Sequence, residues 1–264
     1  MLTNGIGSNS LHTSILRADS AASKSIQRIS SGKKIGQASD NPAGSEMLSA
    51  FDAQARAMTQ MMANQQSQAS VLQTASSSLT TSTNILQSLS SLTAQAANGT
   101  LTDQDRAAIQ QQINQLSSQI DMSAQQSQFN GQNLLDGTFS TQFQNGQKFA
   151  IDAMTANALG LNGLSVATQG DATSAMGTVQ SALNKVLSTQ SGIGAALNGI
   201  SSNIANLQNQ QMNALSAQSQ IGDVDMANEV MNLTLSQMQS QASLRVFSMN
   251  ESTRSNILNL LSDN

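Results

Sequence analysis

Residues 45–98 read SEMLSAFDAQARAMTQMMANQQSQASVLQTASSSLTTSTNILQSLSSLTAQAAN and contain neither proline nor glycine. Apolar side chains recur at Met47, Phe51, Ala55, Met58, Met62, Ala69, Leu72, Leu79, Ile85, Leu89, Leu92 and Ala96. Steps of three and four put such positions on one face of an α-helix. At 1.5 Å per residue the helix would be about 80 Å long, longer than the diameter of a compact domain of this size. The chain is therefore expected to build a rod. The other face carries no charge between Arg56 and Asp103. A solvated helix usually carries Glu–Lys pairs, whereas amides and hydroxyls can meet another protein without stripping water from ions. The pattern favours a packed face over a neutral solvated one.

Composition narrows the classes. Aromatic residues make up only 2% of the 264, with no Trp and no Tyr, so no thick core anchored by large rings is expected. Thin layers of helices sharing Leu, Ile, Met and Ala suit this chain better. Without cysteine there is no disulfide or thiolate chemistry. A net charge of −4 argues against a nucleic-acid partner. No apolar run approaches the roughly 20 residues of a membrane span. Residues 1–17 lack the basic segment and apolar core of a Sec-type signal.

Along the chain, residues 1–10 read as a loop. A first helix follows with Leu11, Ile15, Ala18, Ala22, Ile26 and Ile29 on its stripe, ended by Gly32. Gly32, Gly36, Pro42 and Gly44 mark residues 32–44 as a connector. After the long helix, Asn98-Gly99 is a stop, and Thr102 or Asp103 can cap a helix bearing Ile109, Ile113, Leu116 and Ile120. Phe139 to Phe149, with Asn145-Gly146 between alternating apolar positions, predicts a β-hairpin within about 138–152. Residues 153–171 read as a loop. A second long helix is expected over about 172–217, its Gly192, Gly194 and Gly199 there for close packing. Asp223 can cap a last helix with Val230, Leu233, Met238, Ala242, Val246, Met249, Ile257 and Leu260 on its stripe.

The two ends carry opposite charge, net +3 over residues 1–43 and net −3 over residues 221–264. Each is one amphipathic helix with nothing local to cover its stripe, so antiparallel pairing of the two is predicted. Two helices bury little area, and the ends are expected to order only on assembly. The fold class is thus mainly α: an elongated antiparallel bundle or coiled coil with a small hairpin and paired termini. Residues 1–43 and 221–264 form a terminal helical domain. Residues 44–220 form a rod domain, with no large outer domain.

At these residues the chain resembles the bacterial flagellins. Arg28-Ile29-Ser30-Ser31-Gly32 with Ile35, Ala38, Asp40 and Ala43-Gly44 is similar to the family's N-terminal signature. Phe129-Asn130-Gly131 with Leu134-Leu135 and Gly137 resembles its segment before the β region. Ile221, Asp223, Asp225, Ala227, Glu229 and Val230, and the ending 256–261, resemble its C-terminal helix. The resemblance covers nearly the whole chain. It implies a filament subunit for swimming motility, exported without a cleaved signal by the flagellar type III apparatus and located in the extracellular flagellum. It implies self-assembly into a helical homopolymer, with an export chaperone, the filament cap and hook-associated junction proteins as partners. It implies an inner tube of terminal helices, with interface residues Leu11, Ile15, Ile26, Arg28, Ile29, Val230, Leu233, Val246, Ile257 and Leu260. The connector would use Gly32, Asp40, Pro42 and Gly44. The hairpin, with Phe139, Phe143, Asn145, Gly146 and Phe149, would take part in switching between protofilament states.

Pro42 stands where many members have Ala, and a proline there is also similar to the hook–filament junction proteins. A junction protein is thus one alternative reading, and a surface adhesin or receptor ligand another. The only histidine, His12, has Ser8 and Leu16 one turn away and no second ligand or base. Asp103 and Asp105 suit a helix first turn. No catalytic, cofactor or metal site is expected, and the structural reading is preferred to an enzyme. Leu89, Ser90 and Ser91 fall on the stretch that the innate flagellin receptor reads in the family, where strong agonists carry arginine then glutamate in place of the two serines. Reporter cells should respond more weakly to this chain than to a potent agonist at equal monomer concentration.

Overall fold

The structure, a computed structural model, describes residues 2–143, 146 and 148–262, and the side chains of 9–143, 146 and 148–256. Its helices are α1 (Leu2–Ser31), α2 (Pro42–Ala96), α3 (Asp103–Gln126), α4 (Gln169–Gly222) and α5 (Met226–Ser262). Its strands are β1 (Gln128–Phe129), β2 (Gln132–Asn133), β3 (Ser140–Gln142) and β4 (Lys148–Ala150). The mainly helical class with a small hairpin and paired termini is as the periodicity predicts. The chain forms two compact units, Met1–Ala57 with Gln210–Asn264, and Met58–Asn209.

The second unit holds the apolar core. On α2, Met58, Gln65, Leu72, Leu79, Leu86 and Thr93 are all buried and seven residues apart. Val179, Val186, Ile193 and Ile200 do the same on α4, and Arg106, Ile113, Ile120 and Ser127 follow that spacing from α3 into its cap. A seven-residue repeat keeps one seam facing its neighbours, the packing of coiled coils. The Gln65 side-chain oxygen and the Ser127 hydroxyl are buried in this seam without a hydrogen-bond partner, whereas two other polar residues are satisfied by their own helix. The Ser82 hydroxyl donates to the Ser78 carbonyl at 3.1 Å, and Thr93 to Ser90 at 3.0 Å.

Between α2 and α3 the buried Arg106 acts as a cap. Its guanidinium donates to the carbonyls of Ala96 (2.6 Å), Asn98 (3.2 Å) and Leu101 (3.0 Å), closing the end of α2. Thr102 caps α3: its hydroxyl accepts from the Asp105 amide, and the Asp105 carboxylate accepts from the Thr102 amide, a reciprocal capping box.

Two antiparallel strand pairs follow. In the first, Gln128 pairs with Asn133 and Phe129 with Gln132. Its turn has φ of 51° at Asn130 and 79° at Gly131, the left-handed pair a type I′ turn demands. This pair was not anticipated from the sequence. In the second, Ser140 pairs with Ala150, Thr141 with Phe149 and Gln142 with Lys148. Phe139, Phe143 and Ile151 are buried on its inner face. Gln68 of α2 donates to the Thr141 hydroxyl (3.4 Å) and the Gln142 carbonyl (3.3 Å), holding this pair against the helix.

Several expectations are corrected. Residues 2–10 are helical, not loop, because extending a formed helix costs little even across glycine. Residues 153–168 are irregular as read, yet they are core: Met154, Ala156, Leu161 and Val166 are buried. Side chains satisfy their backbone. Asp121 accepts from the Ala156 amide at 2.7 Å. The Gln110 amide group donates to the Leu164 carbonyl and accepts from the Val166 amide, both at 2.8 Å, as a strand neighbour would. Gly194 and Gly199 do not serve close packing within the chain, since a Cβ built on either meets nothing within 4 Å. The compact units divide within α2 and α4, where the first turns of α2 pack against the last of α4. A Cβ on Gly222 would lie 2.9 Å from Leu48, and the Gln211 amide reaches the Ala55 carbonyl.

Arg106→Ala should remove the guanidinium donors from three carbonyls between the end of α2 and the α3 cap and lower the unfolding free energy by about 2–3 kcal/mol. Thr102→Ala should cost about 1 kcal/mol. Urea unfolding of the monomer, followed by circular dichroism, measures both and should rank Arg106→Ala as the more damaging.

Candidate assembly surface

The terminal helices α1 and α5 pack against each other in the first unit. Asp19 accepts from the Ser240 hydroxyl at 2.9 Å, and Arg28 lies 3.7 Å from Glu229. Partner numbers fall as chain numbers rise, so the pair is antiparallel. Leu2–Ser31 and Met226–Ser262 are helical, and the two helices are paired.

The seam differs from the predicted stripes. On α1 the residues turned inward are Leu11, Ile15, Ala18, Ala22, Ser25 and Ile29, with Ala18 and Ser25 buried. Ile26 is 52% exposed, so its place in the stripe falls to Ser25. On α5 the inward residues are Glu229, Leu233, Ser236, Ser240, Ser243 and Phe247, in alternating steps of four and three. Of the predicted residues only Leu233 is among them, half-buried. Val230 is 48% and Val246 51% exposed. The correction has a physical cause. Small residues, Ala18, Ser25 and Ser240, hold the buried seam positions between the half-buried Leu11, Ile15, Ile29, Leu233 and Phe247, while Val230, Val246 and the methionines of α5 are left on the outer face. The side chains of Ile257 and Leu260 lie outside the described residues.

That outer face is a second stripe. At about 100° per residue, Met231, Leu235, Met238, Ala242, Val246 and Met249 fall along one line of α5, about 140° around the helix from the seam. Met231, Leu235 and Met238 are 67%, 64% and 63% exposed, and Met249 is 70% exposed. Of the eighteen large apolar side chains exposed among the described residues, thirteen lie in the first unit. Two sequence signals mark these faces: Ser at alternating four- and three-residue steps, and Met at multiples of a helical turn.

The connector joins the α4–α5 break by backbone bonds. The Lys34 amide donates to the Gly222 carbonyl at 2.7 Å, and the Val224 amide to the Gly32 carbonyl at 3.0 Å. Gly32 has φ 68°, the left-handed turn that ends α1. Asp40 accepts from the Gln37 amide at 3.2 Å. The connector is shorter than the predicted 32–44. Pro42 opens α2, where its missing N–H costs nothing, and Asn41 caps that turn by accepting from the Gly44 amide at 3.0 Å. Gly44 is a buried helix residue; a Cβ there would lie 2.5 Å from Ile35 Cδ1. Asp225, not Asp223, caps α5, accepting from the amides of Ala227 (3.0 Å) and Asn228 (3.2 Å). Asp223 instead bridges to Lys33 through the backbone.

On the second unit, the Phe143 and Phe149 rings lie 6.1 Å apart, and Gly146 has φ 82°. Asn145 lies outside the described residues. A groove of about 390 Å³ runs between these rings and α4, lined by Gly192, Ala196, Gly199 and Ile200. On α2, Leu89 is buried, Ser90 half-buried and Ser91 exposed. Among the described residues no group of three or more His, Cys, Asp or Glu is placed to hold a metal ion. No helix among the described residues is long and apolar enough to cross a membrane.

Hydrogen bonds from Asn228, through its backbone and side-chain amides, and from Ala227 hold the Asp225 carboxyl below its ordinary 3.8. Thr102 does the same to Asp105, and Thr138 to Asp136. A depressed carboxylate contributes stability above its unfolded pKa, and the contribution disappears as pH falls through the folded value. The α5 cap should therefore hold at neutral pH and fail in acid below 3.8. Helix content followed by circular dichroism during acid titration should show this loss, and Asp225→Ala should lack that part of the transition.

Comparison with known proteins bears on these surfaces. The model of the bacterial flagellin N-terminal helical region matches residues 2–140, and that of the C-terminal helical region residues 176–261. The flagellar filament 30.7 kDa core protein of Treponema maltophilum is 31% identical over 259 residues, covering 90% of this chain and 91% of that one. The flagellar filament core protein flaB2 of Brachyspira hyodysenteriae is 32% identical over 261 residues, covering 90% and 92%. A solved structure from Vibrio parahaemolyticus, assigned to the flagellar hook-associated proteins, has a TM-score of 0.60 at 16% identity. It covers 70% of this chain and all of that one, and shows a shared fold.

Proposed function

The chain belongs to the bacterial flagellin family, and on that premise we propose how its surfaces build a filament. It is a structural subunit of the flagellar filament, a self-polymerising helical protein, and its place is the flagellum outside the cell membrane. The outer stripe of α5 carries the reading. Six side chains, five of them large and apolar, stand in solvent on the face turned from α1, a patch that a soluble monomer rarely exposes without a partner. A second copy covers it. Contacts of this kind repeat head to tail without closing and give an open helical polymer.

In this reading residues 1–43 and 221–264 form the terminal domain that lines the inner tube, and 44–220 form the domain that bears the hairpin. Leu11, Ile15, Arg28, Ile29 and Leu233 hold the terminal pair, while Ile26, Val230, Val246, Ile257 and Leu260 belong to contacts between copies. Gly32 and Asp40 shape the connector, and Pro42 and Gly44 start the helix it feeds. The hairpin of Phe139, Phe143, Asn145, Gly146 and Phe149 shifts over the groove along Gly192 and Gly199 as protofilaments change state. The open space at Gly199 supports this. Export proceeds without a cleaved signal, and an export chaperone, the filament cap and hook-associated junction proteins are the transient partners. The role is non-enzymatic. With Leu89 buried and Ser91 the exposed residue of its segment, innate receptor contact is weak.

Leu235→Asp and Met238→Asp test the stripe. Each side chain is exposed, so monomer stability should change by less than about 0.5 kcal/mol. Growth from short filament seeds, counted by electron microscopy, should stop. Undiminished growth of either variant would remove the α5 stripe from the assembly surface.

A further inference from the structure

Met231, Met238 and Met249 are seven and eleven residues apart on α5. At about 100° per residue they share one line to within about 20°. They are 67%, 63% and 70% exposed, among the most open large apolar side chains of the described residues. The chain has no cysteine, so thioethers are its only sulfur groups. By contrast Met58 and Met154 are buried in the second unit. We propose that Met231, Met238 and Met249 are an oxidation site through which peroxide blocks polymerisation of the free subunit, and that the filament, once formed, shields them. This rests on the reading that the α5 stripe is covered by a second copy.

The chemistry is complete with hydrogen peroxide as oxidant. The thioether sulfur takes one oxygen atom, the O–O bond breaks and an S–O bond forms. Sulfur loses two electrons, and the peroxide is reduced to water. The product is a polar, chiral sulfoxide where the stripe had a flexible apolar side chain. A buried sulfoxide oxygen needs a hydrogen-bond donor. Its neighbours on the stripe, Leu235, Ala242 and Val246, have no side-chain donor to offer. The α1 seam is untouched, since Glu229, Leu233, Ser236, Ser240, Ser243 and Phe247 lie on another face and include no methionine. Oxidation therefore stops addition of subunits without unfolding the monomer.

The test treats purified full-length monomer with hydrogen peroxide, removes the oxidant, maps sulfoxides by peptide mass spectrometry and measures growth from unoxidised seeds. Growth should fall at least tenfold while the circular dichroism spectrum is unchanged. Methionine sulfoxide reductase should restore it. The variant Met231→Leu/Met238→Leu/Met249→Leu should grow within twofold of its own untreated rate after the same exposure, whereas Met122→Leu/Met176→Leu should stay sensitive. If the triple variant grows poorly untreated, Met238→Leu alone should still show partial protection. In filaments the three methionines should oxidise at least tenfold more slowly than in monomer. Full growth with sulfoxide at all three positions overturns the proposal, as does equal oxidation in filament and monomer. Failure of untreated monomer to grow on seeds overturns the assembly reading beneath it.

Discussion

The seam between α1 and α5 fully buries only small or polar side chains and leaves its leucine, isoleucine and phenylalanine half-buried, and the character of the first unit follows from that. Ala18, Ser25 and Ser240 let two helix backbones come close. Two hydrogen-bonded or ionic contacts, Ser240 with Asp19 and Arg28 with Glu229, set the register. One face of α5 meets α1, taking in Leu233 and Phe247, and leaves Leu235 and the methionines uncovered. Those residues lie on the far side of α5, and hydrophobic burial there is left to another chain.

The second unit solves the opposite problem. Its three helices and the packed segment 153–168 enclose leucine, isoleucine and valine at seven-residue spacing. It buries side chains such as Leu72, Leu89 and Ile113 completely. Some polar residues of this core are answered by the backbone, as Ser82 and Thr93 are, or close a backbone end, as Arg106 does, while Gln65 and Ser127 each bury an oxygen without a partner. A unit with a filled core is stable alone, whereas the first unit exposes the surface that its packing leaves over. Structural stability and assembly are thus assigned to different helix faces along one chain.

Much of this was legible from residue spacing. Helices α2 to α4 followed from apolar steps of three and four, the Thr102 cap from its place before Asp103, and β3–β4 from Asn145-Gly146 between phenylalanines. The pairing of the termini followed from opposite charge. Misreadings cluster where one pattern has two physical outlets. An apolar stripe on α5 was assigned to the nearest helix, yet Ser236, Ser240 and Ser243 occupy that seam. Pro42 and Gly44 read as breakers, yet proline suits the first turn of a helix and Gly44 suits the close approach of Ile35. Residues 153–168 read as loop because their core side chains follow no period, and their backbone partners, Asp121, Gln110 and Lys185, are distant in sequence.

By itself the sequence determined the body of each helix and that the ends attract, because propensity, caps and charge act between residues close along the chain or through net sums. Only the tertiary structure decided which face of each helix is inside. A helix with both a small polar line and a large apolar line can pack by either. The choice depends on the shape and charge of the partner that arrives, here the antiparallel α1 with Asp19 and Arg28 facing Ser240 and Glu229. That choice turns the methionine stripe of α5 outward.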